Sequence, residues 1–267
     1  MNKKVISAIM AGAMALSTMG VSSFAATSGD KEVTAAGQTT FKISAAVAAP
    51  VISVTVPSNV AAVINPYGVS INIKGQTDPV GAGGVSSVTY KIVNKTTASK
   101  IKVSATPTIT VPTAKVDGET TATMTVTATA AAAEAVTDAD KKAIYAAVVS
   151  KVENNAVADG DTKVTNLLAT DWATATPTAT VPFVDITTTS KDDLATVQAN
   201  AKKGLMVLPK ATAEDKTDPD NVVAATNGYG VFAVTGAVSP NSDWTTKDKV
   251  TLNLVLDIGP CADDATV

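Results

Sequence analysis

One run limits what this chain can fold into. From Lys249 to Ile258, Leu252, Leu254, Leu256 and Ile258 alternate with Thr251, Asn253, Val255 and Asp257. Successive side chains of a strand point to opposite faces, so one face of this segment is wholly apolar and the other mainly polar. That is the pattern of a strand with one side on a core and the other in water.

Similar runs recur along the chain, each stopped by Pro, Gly or Asn. Val51 to Val56 ends at Pro57, and Val60 to Ile64 ends at Asn65-Pro66-Tyr67-Gly68. Val69 to Ile73 alternates strictly, and Gly81, Gly83 and Gly84 mark a turn. Val85 to Val93 reads as one longer strand, closed by Asn94-Lys95-Thr96. Ile101 to Val103, Thr123 to Ala128, Gly204 to Leu208 and Tyr229 to Val238 continue the series. The core-formers are Val, Ile and Ala, and Thr is frequent; Val, Ile and Thr are β-branched and suit a pleated surface. Strands at this spacing predict an antiparallel β-sandwich, Ig-like or jelly-roll-like, over 39–258.

Two stretches break the pattern. After Thr137, the positions Ile144, Tyr145, Val148, Val149 and Val152 follow helical spacing, and Thr137 with Asp140 resembles a capping box. A second candidate begins at Ser190, with Asp193 three residues on, and runs to Lys203 before Gly204. The expectation is a sandwich with one or two helical insertions, near 137–155 and 190–203. A weak internal repeat adds a further possibility. Asp171-Trp172-Ala173-Thr174 matches Asp243-Trp244-Thr245-Thr246, and Asp185-Ile186 follows the first Trp at the same distance as Asp257-Ile258 follows the second. Two related β-units, about 39–189 and 190–258, would explain it; so would chance in a sequence rich in Thr, Val and Ala.

The first residues carry an export grammar. Met1-Asn2-Lys3-Lys4 is a positive head, Val5 to Val21 is apolar, and Ser23 and Ala25 are the small residues of a cleavage site. A signal peptide over 1–25 is expected, then a leader over 26–38 that is polar and small. The apolar run is short for a span of about 20 residues, and no second run of that kind follows, so no membrane span is expected after cleavage. A flexible tail is expected over 259–267, with no sortase-type signal. The expected location is extracellular or wall-associated.

Composition narrows function by subtraction. All 21 basic residues are Lys, and there is no His. A Ser-His-Asp or Cys-His arrangement is therefore impossible, as are His-ligated metals and guanidinium clamps for phosphate. A net charge of −3 and a pI near 5.0 give no footprint for nucleic acid. No enzyme and no cofactor is expected. Asp159-Gly160-Asp161 and Asp218-Pro219-Asp220-Asn221 are acidic, but neither has the spacing of a Ca²⁺ loop. No carboxylate pair stands in a context suggesting a glycosidase, and aromatics make up only 4%.

Three residues remain as candidates. Trp172 and Trp244 either cap the core or present a carbohydrate-binding face, since Trp buries a large area and keeps a polar edge. Cys261, the only cysteine, is either inert or an intermolecular crosslink. Asn94-Lys95-Thr96 has the form of a glycosylation sequon.

Three segments carry a resemblance: Val54-Thr55-Val56-Pro57, Ile64-Asn65-Pro66-Tyr67-Gly68, and Val88-Thr89-Tyr90-Lys91-Ile92-Val93-Asn94. They resemble secreted cell-surface proteins of Firmicutes, and Gly230 to Ile258 is similar in style to the end of WxL-type wall-associated proteins. Camelysin-type matrix-fibre proteins are similar in architecture alone. The resemblance implies a β-sandwich held non-covalently at a Gram-positive surface. One departure limits it: Trp172-Ala173-Thr174 and Trp244-Thr245-Thr246 both lack the Leu of the motif, so wall binding is not carried over. The expected role is a structural or adhesive component of the cell surface or extracellular matrix, with itself or other surface proteins as partner. The alternative is a non-catalytic module for cell-wall or other polysaccharide. Strand addition at an open sheet edge would use Thr39 to Val47, or the last strand, as donor.

Overall fold

The protein is described by a computed structural model covering residues 52–67, 69–72, 83–112, 123–138, 141–157, 177–218, 223–240, 244, 248–262 and 267. The signal peptide, the leader, Thr39 to Val47 and Trp172 lie outside the described residues. In chain order the strands are β1 (Val54–Thr55), β2 (Ala62–Asn65), β3 (Gly84–Ser87), β4 (Tyr90–Asn94), β5 (Lys100–Thr110) and β6 (Thr123–Val126). Helix α1 (Ala130–Glu134) precedes β7 (Lys141–Val157), β8 (Ala179–Pro182) and β9 (Val184–Asp185). Helix α2 (Leu194–Ala201), β10 (Lys203–Leu208), β11 (Asn227–Val238) and β12 (Thr251–Cys261) complete the set. The class is mainly β, sandwich-like, with predominantly antiparallel sheets and, among the described residues, two helices.

β11 is the spine of the larger, eight-stranded sheet. It pairs with β7 from Val238↔Ile144 to Asn227↔Val157. Its opposite edge is shared end to end by β4 and β3, and β1 and β2 extend these outward. Beyond β7 lie β8, antiparallel, and β6, parallel. In the four-stranded sheet, β5 is central, with β12 along one edge and β10 and β9 along the other. The two sheets meet through the chain itself: β8 joins the larger sheet, Phe183 turns inward, and β9 joins the smaller.

The core fills the space between the sheets. Ile92, Ile144, Val148, Phe232 and Val234 come from the larger sheet, and Ile101, Val103, Ile109, Leu205, Met206 and Leu208 from the smaller. Each of these side chains stabilises the fold by about 1.5–3 kcal/mol through removal from water. Gly228 is required by packing on β11: a Cβ there would sit 1.9 Å from the Pro209 carbonyl oxygen. That same oxygen accepts a hydrogen bond from Asn94 Nδ2 at 2.8 Å.

Four expectations are corrected. The stretch 137–155 is not a helical insertion but β7, the longest strand described. Ile144, Ala146 and Val148 face the main core. On the opposite face, Ala143 packs with Ala133 and Ala237, and Val149 with Val231 and Ala233. A strand covered on both faces loses its alternation, and the merged apolar positions imitate a helical stripe. Second, Val85 to Val93 is two strands, β3 and β4, because both pair with β11 at separate registers. Third, Val69 to Ile73 forms no strand over its described residues, which hold only a single bridge at Ile71. Fourth, the last strand runs on through Gly259, Pro260 and Cys261, which pair with Lys102, Ile101 and Lys100, so the tail begins later than expected. Pro260 is tolerated because β12 is an edge strand and a missing N–H can face outward.

The second helical candidate is present as α2, beginning at Leu194 rather than Ser190. Asp193 N donates to Ser190 Oγ at 3.3 Å, and Ser190 Oγ donates to Asp193 Oδ2 at 2.5 Å, holding the turn before it. Helix α1 is a further element, and Thr129 caps it by accepting from Ala132 N at 3.2 Å. Strands from 39–189 and from 190–258 interleave in both sheets, and Ile52–Val267 is one compact unit.

Candidate functional site

The most distinctive surface is the side of the sandwich opposite the β8–β9 crossing. There β12 is an edge: among the described residues it pairs only with β5. Leu252, Leu254, Leu256 and Ile258 point inward and are only half-buried, while Thr251, Asn253, Val255 and Asp257 face water. Across from them runs the segment Val56–Ala62 that links β1 to β2. Between the two lies a groove of about 600 Å³, floored by Phe183 and Val234 and walled by Val56, Val60, Ile64 and the four inward residues of β12. Most of the lining side chains are apolar, Ser58, Asn59 and Asn253 being polar, while polar atoms make up the larger share of the exposed lining. An exposed row of strand N–H and C=O groups beside an apolar slot is a template for pairing with another strand.

Trp244 is not part of that surface. It is 9% exposed, joins the main core, and donates from Nε1 to the Ser239 carbonyl at 2.9 Å. Ser239 in turn accepts at Oγ from Ala143 N at 3.1 Å, so the segment after β11 is pinned to the start of β7. Trp172 lies outside the described residues, so the proposed Trp172–Trp244 repeat is placed at one end only.

Beside Trp244 is a feature the sequence does not announce. Lys142, on the inner face of β7, forms an ion pair with Asp248, Nζ to Oδ2 2.7 Å, with the two side chains 2% and 4% exposed. The Lys142 Nζ lies 5.9 Å from the centre of the Trp244 ring. Nothing in Asp140-Lys141-Lys142 or Lys247-Asp248-Lys249 distinguishes the buried members from their neighbours. Only the parity of β7 does so, since Lys142 shares a face with Ile144, Ala146 and Val148.

The remaining candidates resolve individually. Asn94 of the sequon is fully buried, donating to the carbonyls of Ser99 at 3.2 Å and Pro209 at 2.8 Å and accepting from Thr96 N at 2.9 Å; it is a structural residue. Asn65 organises the Asn65-Pro66-Tyr67 turn, accepting from Tyr67 N at 3.2 Å and donating to Val69 O at 2.9 Å. Tyr67 is 52% exposed there, and Tyr229 is half-buried with the Lys91 ammonium 4.6 Å above its ring. Cys261 is half-buried at the end of β12, opposite Lys100. Asp159-Gly160-Asp161 lies outside the described residues, as do Pro219, Asp220 and Asn221. Among the described residues no three Cys, Asp or Glu side chains cluster to hold a metal ion. Asp215, in the loop after β10, is held below the usual carboxylate range by hydrogen bonds from the Thr217 hydroxyl and backbone N–H. Burial pushes the Tyr145 phenol up.

No helix among the described residues is long and apolar enough to cross a membrane. Comparison with protein-family models, with curated proteins and with solved structures finds no match to this chain.

Proposed function

We propose that this chain is a secreted structural or adhesive component of a Gram-positive cell surface or extracellular matrix, and that it assembles by adding a strand from a second copy along the outer edge of β12. The observation that carries the reading is the edge itself: an 11-residue strand with four half-buried apolar side chains along an open groove. A strand seated there would extend the backbone ladder and cover those side chains together. The last strand, paired with β5 over its whole length, suits the acceptor and not the donor. The donor that fits by pattern is Thr39 to Val47 of a neighbouring copy. Its Phe41, Ile43, Ala45 and Val47 recur at the same two-residue spacing as Leu252, Leu254, Leu256 and Ile258. The export grammar of 1–25 and the missing His and Arg support a non-catalytic, extracellular role. The polysaccharide-binding alternative draws less support, because Trp244 presents no open ring face.

Negative-stain microscopy of the chain begun at Ala26, concentrated from monomer, tests this. Filaments or regular arrays are expected, and Ile43→Lys should abolish them with the thermal midpoint unchanged. A wild-type chain that stays monomeric at high concentration sinks the proposal. Assembly that survives Ile43→Lys sinks the choice of donor.

A further inference from the structure

A buried ion pair is costly to retain. Removing two charges from water costs several kcal/mol per ion, and apolar replacements are often as stable. Lys142 and Asp248 are held in this condition, at 2.7 Å and almost fully enclosed, against the Trp244 ring. They also stand at a mechanically significant point. Lys142 belongs to the larger sheet, and Asp248 lies three residues before β12, the edge strand of the smaller one.

We propose that Lys142 and Asp248 condense to a side-chain amide, covalently tying the two sheets at the start of β12. One ammonium proton passes to the carboxylate across the existing contact. The neutral amine then attacks Asp248 Cγ, forming the N–C bond. The C–O bond to the hydroxyl breaks, and the hydroxyl leaves with a second nitrogen proton as water. An ammonium and a carboxylate thus become one secondary amide and one water. Charge and atoms balance, and no oxidant, nucleotide or metal is consumed.

In bulk water this condensation is opposed by the hydration of both ions. Here both ions are already stripped of solvent, and the product carries no charge to bury. Fixed proximity supplies the rest, since well-oriented intramolecular reactions reach effective molarities of about 10⁵–10⁸ M. The bond would close a loop containing most of β7, β8, β9, α2, β10 and β11. It would also anchor the N-terminal end of an edge strand that, among the described residues, is supported on one side only. The inference is independent of whether β12 accepts a strand.

The test is mass spectrometry of the full chain, unfolded and digested. The expected result is a molecule lighter than the sum of its residues by one water, with a branched peptide joining Lys142 to Asp248. A protease cut between the two residues should leave fragments that stay together on a denaturing, reducing gel. The paired substitution Lys142→Met with Asp248→Leu, which keeps the site filled, should restore the full mass and let the cut fragments separate. Recovery of Lys142 and Asp248 in separate, unmodified peptides from folded wild-type protein overturns the proposal. So does a lost water mapped elsewhere, for instance to a cyclised Asp159-Gly160. Should the double variant fail to fold, the wild-type peptide map decides alone.

Discussion

The sandwich has two sides, and they are built differently. On one, the chain carries itself from sheet to sheet: β8 pairs with β7, Phe183 turns into the core, and β9 pairs with β5. On the other, β12 faces Val56–Ala62 across a groove. At the closed side Phe183 is buried in the join and reaches the floor of the groove. The open side keeps four apolar side chains half-covered and a backbone edge with no partner strand among the described residues. Proteins usually blunt such an edge with charge or proline. β12 carries both only at its far end, in Asp257 and Pro260, with Asp257 paired to Lys202 at 2.9 Å on the surface. An exposed pair of that kind contributes about 1 kcal/mol or less. The middle of the strand, from Leu252 to Leu256, has neither device.

The largest effect should fall on the closed side. Phe183 is 5% exposed and sits where one sheet passes into the other. Phe183→Ala removes its buried surface and leaves a cavity, and should cost about 3–5 kcal/mol, read from the urea midpoint. On the open side, Leu254→Lys lets the long stem lie along the groove with its ammonium in water. It should cost the monomer less than about 2 kcal/mol, because Leu254 is only half-buried and a fully buried Leu is worth about 1.5–3 kcal/mol. The same variant should eliminate assembly in microscopy. Equal losses for the two variants would mean that both sides are equally sealed, and the comparison between them would fail.

This difference also decides what could be read in advance. β12 was legible because one of its faces meets water, so its polar and apolar residues separate cleanly. β7 was not, because its second face is apolar too: α1 packs on it at Ala143, and Val149 lies there beside Val231 and Ala233 of the neighbouring β11. With both faces apolar, local spacing no longer reports the local conformation. β3 and β4 merged into one run for a related reason: their break at Val88-Thr89 is set by where each meets β11, a contact more than a hundred residues away. The site divides in the same way. The apolar face of β12 was visible in the sequence. That the face lines a groove depends on Val56–Ala62 stopping short of it, and the Lys142–Asp248 pair depends on three elements converging. For Trp244 the sequence leaves two outcomes open, and its burial selects the core.

A smaller effect concerns how the open side is anchored. Trp244 ties the segment before β12 to Ser239, and so to the start of β7. Trp244→Phe keeps an aromatic ring in the core and removes the Nε1 donor, leaving the Ser239 carbonyl short of one partner. The expected loss is about 1 kcal/mol, measured by thermal unfolding. A loss as large as that for Phe183→Ala would mean that the Trp244 anchor, and not the β8–β9 crossing, is the principal join between the sheets.

The smallest effect belongs to a region on neither side, the loop between β10 and β11. Asp215 there accepts from the Thr217 hydroxyl and from Thr217 N at 2.9 Å, and both bonds favour its charged form. A carboxyl lowered on folding contributes stability that is present above its unfolded pKa. That contribution is lost as the pH falls through the folded one. Thr217→Ala removes the hydroxyl and keeps the N–H, so the Asp215 pKa should rise toward the ordinary carboxylate range without reaching it, as followed by NMR titration of its side chain. Because Asp215 is fully exposed, the unfolding midpoint at neutral pH should be unchanged, and assembly on the open side should be unaffected. A titration curve that does not move would remove the hydroxyl as the cause. A variant that stops assembling would place this loop in the interface and extend the open side beyond β12.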